Sequence, residues 1–355
     1  MKHNAKRITS LLTALVLAIS ATVCASAKGA PETAATSICI MDMDTGRVLY
    51  EKNADEERAI ASITKIMTGI LVIENNEDLD RTIKISAHAA SIGEASMYLE
   101  EGQKYPLRTV LYGTLLKSGN DAAVAVAEAT GGSEKKFVQM MNRKAEELGM
   151  THSHFSCPNG LTDEGNYSSA RDMATLSRYA MGNKTFAKIV GTKKVTTEDG
   201  YSFTNHHKLL RRDERCIGIK TGFTNAAGRT LVSAFRDPED GHRIIVVTLN
   251  DWDDYEDHLT LCDWAFKTFP ETTLTEQDVP VATLDNAGTK MQLVTEEQVN
   301  CPLSKKEAKR VTSYLRLQSN RGAPIEEGAT AGKMNYYLDG EKISSVKLRY
   351  QSAAS

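Results

Sequence analysis

The chain has 355 residues, 41% of them hydrophobic and 25% charged, with a formal net charge of -3 and a pI near 6.3. That is enough apolar material for a sizeable core and too much chain for one small domain, so two domains are expected. The charge balance is mildly acidic and contains no long basic block, which removes nucleic-acid binding from the function classes.

Lys2, Lys6 and Arg7 precede an apolar run from Ile8 to Val23, which Ala25-Ser26-Ala27 follows. A basic start, an apolar stretch and a small-residue cleavage site make up a secretory signal peptide. Thr13, Ser20 and Thr22 interrupt the run, and it is short for a membrane span. Residues 1–27 are therefore expected to be a leader, with the mature chain starting near Lys28 and working outside the cytoplasm.

Ile38, Ile40, Val48 and Tyr50 flank Asp44-Thr45-Gly46, the pattern of two strands joined by a tight turn. Helical spacing follows in Ile63, Ile66, Met67, Ile70 and Leu71, then in Val110, Leu111, Thr114 and Leu115, then in Phe137, Met141 and Leu148. Ser169-Ala170-Arg171-Asp172 has the form of a capping box ahead of Met173, Leu176 and Tyr179, so Arg171 and Asp172 read as structural. Thr230 to Phe235 and Ile244 to Leu249 read as paired strands across the turn-forming Asp237-Pro238-Glu239-Asp240-Gly241. A last helix is expected from His258 to Phe269, with Leu261, Trp264 and Ala265 turned inward. Beyond Pro270 the texture becomes Thr-rich and β-branched, as in Thr272 to Thr275 and Val281 to Leu284. The whole reads as an α+β chain, with strands at both ends of a first domain, 28–272, around a helical middle, and a small β-rich domain, 273–355, after it.

Cys24, Cys39, Cys157, Cys216, Cys262 and Cys301 show no CxxC spacing, and Cys24 falls in the leader, so neither a disulfide framework nor a zinc site is signalled. Cys39, Cys216 and Cys262 have apolar neighbours and read as small buried hydrophobes. The histidines make only the short pairs His152/His154 and His206/His207, never HExxH, and no metal or cofactor is expected.

Ser62-Ile63-Thr64-Lys65 sets a hydroxyl and an amine three residues apart, on nearly the same side of a helix. Serine needs a base to become a nucleophile, and lysine is a base only when burial or a neighbouring cation keeps its amine neutral. Alone, SxxK arises by chance roughly once in a few hundred residues. Ser118-Gly119-Asn120 falls in a short break between two helical stretches, where Ser118 is able to relay a proton and Asn120 to bind an amide; a helix cap with a turn glycine explains the same residues locally. Lys220-Thr221-Gly222 ends the strand-like Cys216 to Ile219, offering a cation and a hydroxyl for a carboxylate and a glycine against which a peptide can lie. All three in this order, each on the element its role requires, are far less probable by chance than any one alone.

SxxK, SxN and KTG together are the signature of serine β-lactamases and penicillin-binding proteins. With their surroundings, Ala61 to Thr68, Leu116 to Ala123 and Gly218 to Thr224, they resemble the low-molecular-weight D-alanyl-D-alanine carboxypeptidases, peptidase family S11. Asn159-Gly160-Leu161, Ser168 to Ala174, Asn205 to Leu210, Ala227-Gly228-Arg229 and the final stretch from Ala323-Pro324-Ile325 to Leu348 extend the likeness from about Thr36 to Tyr350. The resemblance implies a β-lactamase/transpeptidase-like catalytic domain, an antiparallel sheet plus a helical subdomain, closed by a small β domain. It implies that Ser62 attacks the penultimate D-alanine carbonyl of a peptidoglycan stem pentapeptide while Lys65 takes its proton. Ser118 would assist the transfer and Asn120 hold the substrate amide. Lys220 and Thr221 would bind the terminal carboxylate beside Gly222, and backbone N–H groups of Ser62 and Phe223 would form the oxyanion hole. β-Lactam antibiotics would acylate Ser62 and inhibit.

Many relatives end in an amphipathic helix lying on the membrane; the segment up to Ser355 shows no apolar–cationic stripe, and membrane association stays open. A β-lactamase, an endopeptidase acting on cross-links, and a penicillin-binding receptor or wall-binding protein that never turns over remain the alternatives. Class A β-lactamases need a glutamate to drive deacylation, and the segment from Thr151 to Asn166 offers no convincing equivalent.

Overall fold

In the computed structural model of the chain, residues 29–161, 165–286, 289–318 and 326–352 are described. The expected leader, 1–27, and the Ala323-Pro324-Ile325 start of the last stretch lie outside them.

Strands β1 (Ser37–Asp42) and β2 (Val48–Lys52) form the expected hairpin, antiparallel around Asp44-Thr45-Gly46. Asp42 fixes its turn by accepting a bond from the Thr45 backbone N–H at 2.6 Å. The chain then enters the helical middle through β3 (Arg58–Ala59), a 3₁₀ turn at Ala61–Thr64 and α1 (Lys65–Glu74). β4 (Thr82–Lys84), α2 (Ala87–Ser91) and β5 (Lys104–Pro106) lead to α3 (Leu107–Leu116), α4 (Asn120–Gly131) and α5 (Glu134–Glu147). β6 (Tyr167–Ser168) precedes α6 (Ala170–Met181), whose cap is Ser169 accepting from the Asp172 backbone N–H at 3.1 Å. α7 (Lys184–Val190), the short strands β7 (Lys194–Thr196) and β8 (Ser202–Thr204), and α8 (Leu209–Arg212) bring the chain back to the sheet.

That sheet is completed by β9 (Cys216–Thr224), β10 (Gly228–Arg236) and β11 (Arg243–Leu249), in the order β2-β1-β11-β10-β9. Strand alternation divides its side chains between two cores. Cys39 and Met41 join Ile245 and Val247 against the helices, while Ile38 and Ile40 join Ile244 and Val246 against α9 (Asp254–Thr268). Because both faces are covered, β1 is buried at all six positions. Cys39, Cys216 and Cys262 are free and buried in these cores.

Two boundaries differ from the sequence expectation. β9 does not close at Lys220-Thr221-Gly222 but runs on to Thr224, held by antiparallel pairing to β10. α9 starts at Asp254 and not at His258, because the acidic Asp254, Glu256 and Asp257 favour the first turn of a helix although they read locally as loop. Leu261 and Ala265 are fully buried there, and Trp264 packs partly buried against them.

After Pro270 the described elements are strands: β12 (Glu271–Thr275), β13 (Pro280–Asn286), β14 (Thr289–Thr295), β15 (Val299–Pro302), β16 (Thr312–Leu317), β17 (Thr330–Leu338) and β18 (Glu341–Ser352). β13-β14-β18-β17-β16 form one antiparallel sheet over a separate core of Leu293, Tyr336, Val346 and Leu348, and β12 pairs with β15. Arg47, in the first hairpin, bonds the Pro302 carbonyl and Glu307 and so ties the two regions together.

A buried polar chain lies where α9 and the segment before α8 pack on the sheet. Ser233 Oγ is 3.0 Å from His207 Nε2 and 2.9 Å from His258 Nδ1, and His258 Nε2 is 3.0 Å from Thr248 Oγ1. Burial keeps both imidazoles neutral, pushing His207 down to about 3. Beyond Thr248 the fully buried Asp251 meets Asp257, and burial, then the charge of Asp257, push its carboxyl up to about 7. Native Asp251 therefore keeps a proton that the unfolded chain, with an ordinary value of 3.8, has released. Its contribution to stability is full below that unfolded value, falls as pH rises, and is gone above about 7. Asp251→Asn preserves shape and removes the ionisation, so its melting temperature is expected to gain on that of the wild type as pH is raised from about 5 to about 8. A constant difference across thermal melts in that range would show that Asp251 does not hold the proton.

Candidate active site

Ser62 lies in the 3₁₀ turn and Lys65 is the first residue of α1, so the start of the helix presents both side chains together. Lys65 is fully buried, with its Nζ 2.9 Å from Ser62 Oγ and 2.8 Å from Asn120 Oδ1; it also bonds the Asn159 carbonyl. Burial, and after it the charge of Lys220, hold its pKa well below the usual lysine value. A neutral amine has two N–H donors and one lone pair. The Asn120 and Asn159 oxygens only accept, so they take the two N–H groups, and the lone pair is left for the Ser62 O–H.

The approach of Asn159 depends on Gly160, which has a φ of 76° and no room for a side chain: an added Cβ would fall 2.0 Å from the Ala61 carbonyl oxygen. Thr68 Oγ1 donates to the Pro158 carbonyl at 2.6 Å, and Asn166 Nδ2 donates to Thr64 Oγ1 at 3.0 Å, fastening the same segment to α1.

Ser118 and Gly119 fill the expected break between α3 and α4, and Asn120 opens α4. Gly119 is the cap residue and no side chain caps this helix, so the Ser118 and Asn120 side chains are free for other partners. Ser118 Oγ accepts from Lys220 Nζ at 3.0 Å, and Asn120 Nδ2 donates to the Gly93 carbonyl at 3.2 Å. The neighbouring Asp121 accepts from the Met97 and Leu99 backbone N–H groups at 2.8 and 3.0 Å, fixing the loop that forms one lip of the cleft.

Strand alternation turns Lys220 and Gly222 toward the helices. Lys220 is 2% exposed, and burial pushes its ammonium down to about 7. Gly222 leaves the strand bare where it meets the 3₁₀ turn, since a Cβ there would lie 2.9 Å from the Ser62 backbone nitrogen. Phe223, 54% exposed, stands at the lip with its ring 6.2 Å from that of Trp252.

Ser62, Ser118, Thr221, Gly222 and Phe223 line one cleft of about 640 Å³, with Lys65, Asn120 and Lys220 buried behind its floor. The three motifs, 158 residues apart in sequence from Ser62 to Lys220, thus meet in one place. Residue patterns did not show the Asn159 carbonyl, because a backbone oxygen carries no side-chain signal. Nor did they single out Arg229, whose guanidinium reaches the cleft, ion-pairs Asp254 at 2.7 Å and leaves Nε without a partner. Its only signal was a place in Ala227-Gly228-Arg229. Arg171 and Asp172 lie away from the cleft, Arg171 bonding Asp55 at 2.6 Å and Asp172 accepting from the His152 N–H at 2.8 Å. The described residues of the Thr151 to Asn166 segment include no carboxylate; Thr162, Asp163 and Glu164 lie outside them.

Comparison with known proteins gives the same picture across both regions. Residues 24–253 match the family model for D-alanyl-D-alanine carboxypeptidase (peptidase S11), and 269–354 match that for the penicillin-binding protein 5 C-terminal domain. D-alanyl-D-alanine carboxypeptidase DacF of Bacillus subtilis (strain 168) is 33% identical over 87% of this chain and 83% of its own length. D-alanyl-D-alanine carboxypeptidase DacC of Escherichia coli (strain K12) is 28% identical over 90% of this chain and 84% of its own. Among solved structures, penicillin-binding protein 5 from Haemophilus influenzae has a TM-score of 0.74 at 26% identity, covering 91% of this chain and 98% of that one. The chain belongs to the D-alanyl-D-alanine carboxypeptidase family, peptidase S11, of the penicillin-binding proteins.

Proposed function

We propose that the protein removes the terminal D-alanine from peptidoglycan stem pentapeptides through an acyl-enzyme on Ser62. The observation that carries this reading is the Lys65 amine, buried with no ion-pair partner among the described residues and 2.9 Å from Ser62 Oγ. Lys65 accepts the Ser62 proton as Oγ attacks the penultimate carbonyl, and Ser118 passes a proton on to the leaving amine. Asn120 exchanges its 3.2 Å bond to Gly93 for the substrate amide. The developing oxyanion takes the Ser62 and Phe223 N–H groups, a contribution on the order of a hundredfold or more in rate. Lys220 and Thr221 receive the terminal carboxylate, with Arg229 lining the cleft beside them, and water then releases the acyl group. A β-lactam follows the same path to an acyl-enzyme that water attacks slowly, so it inhibits.

Residues 28–272 form the hydrolytic unit in this reading and 273–355 an accessory one, although β12 already crosses that line. With residues 1–27 as an export signal, the enzyme works at the wall or the outer face of the cytoplasmic membrane. No described helix is long and apolar enough to cross a membrane.

Ser62→Ala is expected to lower D-alanine release from a soluble stem pentapeptide by at least about a thousandfold. Undiminished release by the variant, measured on correctly folded protein, would remove Ser62 from the mechanism.

The two lysines must hold opposite protonation states, and this sets the pH dependence. Neutral Lys65 becomes more abundant as pH rises, giving kcat/KM its acid limb. Charged Lys220 is lost as pH passes about 7 in the free enzyme, giving the alkaline limb. A bound carboxylate raises the Lys220 pKa, so the alkaline limb of kcat is expected at higher pH than that of kcat/KM. Lys220→Gln should lower kcat/KM and abolish that limb; its persistence in the variant would assign it to another group.

A further inference from the structure

The second sheet carries charge that no described residue answers. Across β16, β17 and β18 the register sets Arg316 opposite Lys333 and Lys333 opposite Lys347. All three side chains are exposed. Among the described residues none of the three has an ion-pair partner; the neighbouring cations do, Arg310 with Asp339 at 3.2 Å and Arg349 with Asp278 at 2.6 Å. Like charges directly opposite on a sheet destabilise it. The row spans two interstrand spacings, roughly 10 Å.

Met334, Tyr336, Val346 and Leu348 turn into the core, so the cations stand on the other face. Tyr314 shares that face, 63% exposed and edge-on to Tyr337 with ring centroids 5.6 Å apart. Thr312 and Ser345 share it through the same register, with Asn335 buried between Tyr314 and Ser345. Leu315 and Leu317 are also exposed but alternate to the opposite side. The cationic face is therefore polar and aromatic, which suits a hydrated polymer bearing carboxylates and sugar rings; entry into a bilayer would call for the leucines on the same side.

We propose that this face is a second binding surface for peptidoglycan, in which Arg316, Lys333 and Lys347 receive stem-peptide carboxylates and Tyr314 stacks on a sugar ring. The proposal rests on reading the cleft as a stem-peptide hydrolase. A stem ends in a carboxylate before and after D-alanine leaves, and stems recur along the glycan, so the polymer supplies the repeated anions that a row of cations can bind. Holding one stretch of polymer on the sheet raises the concentration of neighbouring stems at the cleft without any new contact there.

The test is co-sedimentation of the full-length protein with insoluble peptidoglycan over a salt series, its cleft blocked beforehand with a β-lactam, alongside hydrolysis of a soluble pentapeptide by unblocked protein. Lys333→Glu replaces the like-charge row by an alternating one. It should raise the melting temperature, weaken sedimentation at low salt by roughly fivefold, and leave soluble-peptide kinetics unchanged. A purely structural role for Lys333 would not move stability and binding in opposite directions. Unchanged sedimentation by the variant would overturn the proposal, as would wild-type sedimentation that vanishes once the cleft is blocked. Row-dependent binding to phosphatidylglycerol vesicles without binding to peptidoglycan would overturn it in favour of a lipid surface. Row-dependent sedimentation by a protein that releases no D-alanine would uphold the surface and reject the catalytic reading instead.

Discussion

A lysine amine buried with no ion-pair partner among the described residues is the constraint around which the cleft is organised. Moving an ammonium out of water costs several kcal/mol even after relaxation, and a nearby carboxylate would have offset that cost by fixing the charge. Lys65 is instead surrounded by the Asn120 side-chain oxygen, the Asn159 carbonyl and the Ser62 hydroxyl. These partners suit the neutral amine, because two of them only accept and the third has a proton to give. The basicity of the site therefore comes from the folding energy of the elements that bury it. Those elements are α1, which starts at Lys65, α4, which starts at Asn120, and a segment that can pass close to Ala61 only because residue 160 is glycine.

The sheet supplies the complementary half. β9 is the last strand in the order β2-β1-β11-β10-β9, so one of its edges faces the helices and the 3₁₀ turn. Lys220 points at Ser118, and the bare backbone at Gly222 stands against the Ser62 nitrogen. The two lysines thus belong to different layers and are kept apart by the Ser118-Gly119-Asn120 break, each bonded to a different side chain of it. Their repulsion acts across that break and favours deprotonation of the more enclosed amine.

What the sequence disclosed followed from where side-chain chemistry and periodicity coincide. The hairpin at Ser37, the strands at Thr230 and Ile244, and the helices around Ile66, Val110 and Phe137 were legible because their apolar residues recur at strand or helix spacing. The site was legible in its side chains, Ser62, Lys65, Ser118, Asn120, Lys220 and Thr221, since each motif combines a polar group with a fixed spacing. It was not legible in its backbone: the Asn159 carbonyl on Lys65 and the run of β9 past Lys220 are decided by tertiary pairing. The acidic start of α9 misled local reading, because Trp252 to Glu256 look like loop until the sheet behind them gives the helix something to pack on. Periodicity in the last domain announced strands, but a row such as Arg316, Lys333 and Lys347 exists only once register is known.

Two places in this protein then share one physical logic. In the cleft, Lys220 and Lys65 repel one another, and neither has an ion-pair partner among the described residues. On the outer sheet, three cations face one another across neighbouring strands. Either arrangement would be more stable with an acidic side chain placed among the cations, and such a residue would compete with any anion arriving from outside. A carboxylate in the cleft would pin Lys65 as an ammonium and compete with the substrate terminus proposed to bind there. One on the sheet would neutralise the row. Stability forgone at both places leaves positive charge with no ion-pair partner among the described residues, buried at Lys220 and exposed on the outer sheet, and a polymer whose branches end in carboxylates is the kind of ligand proposed to complete both.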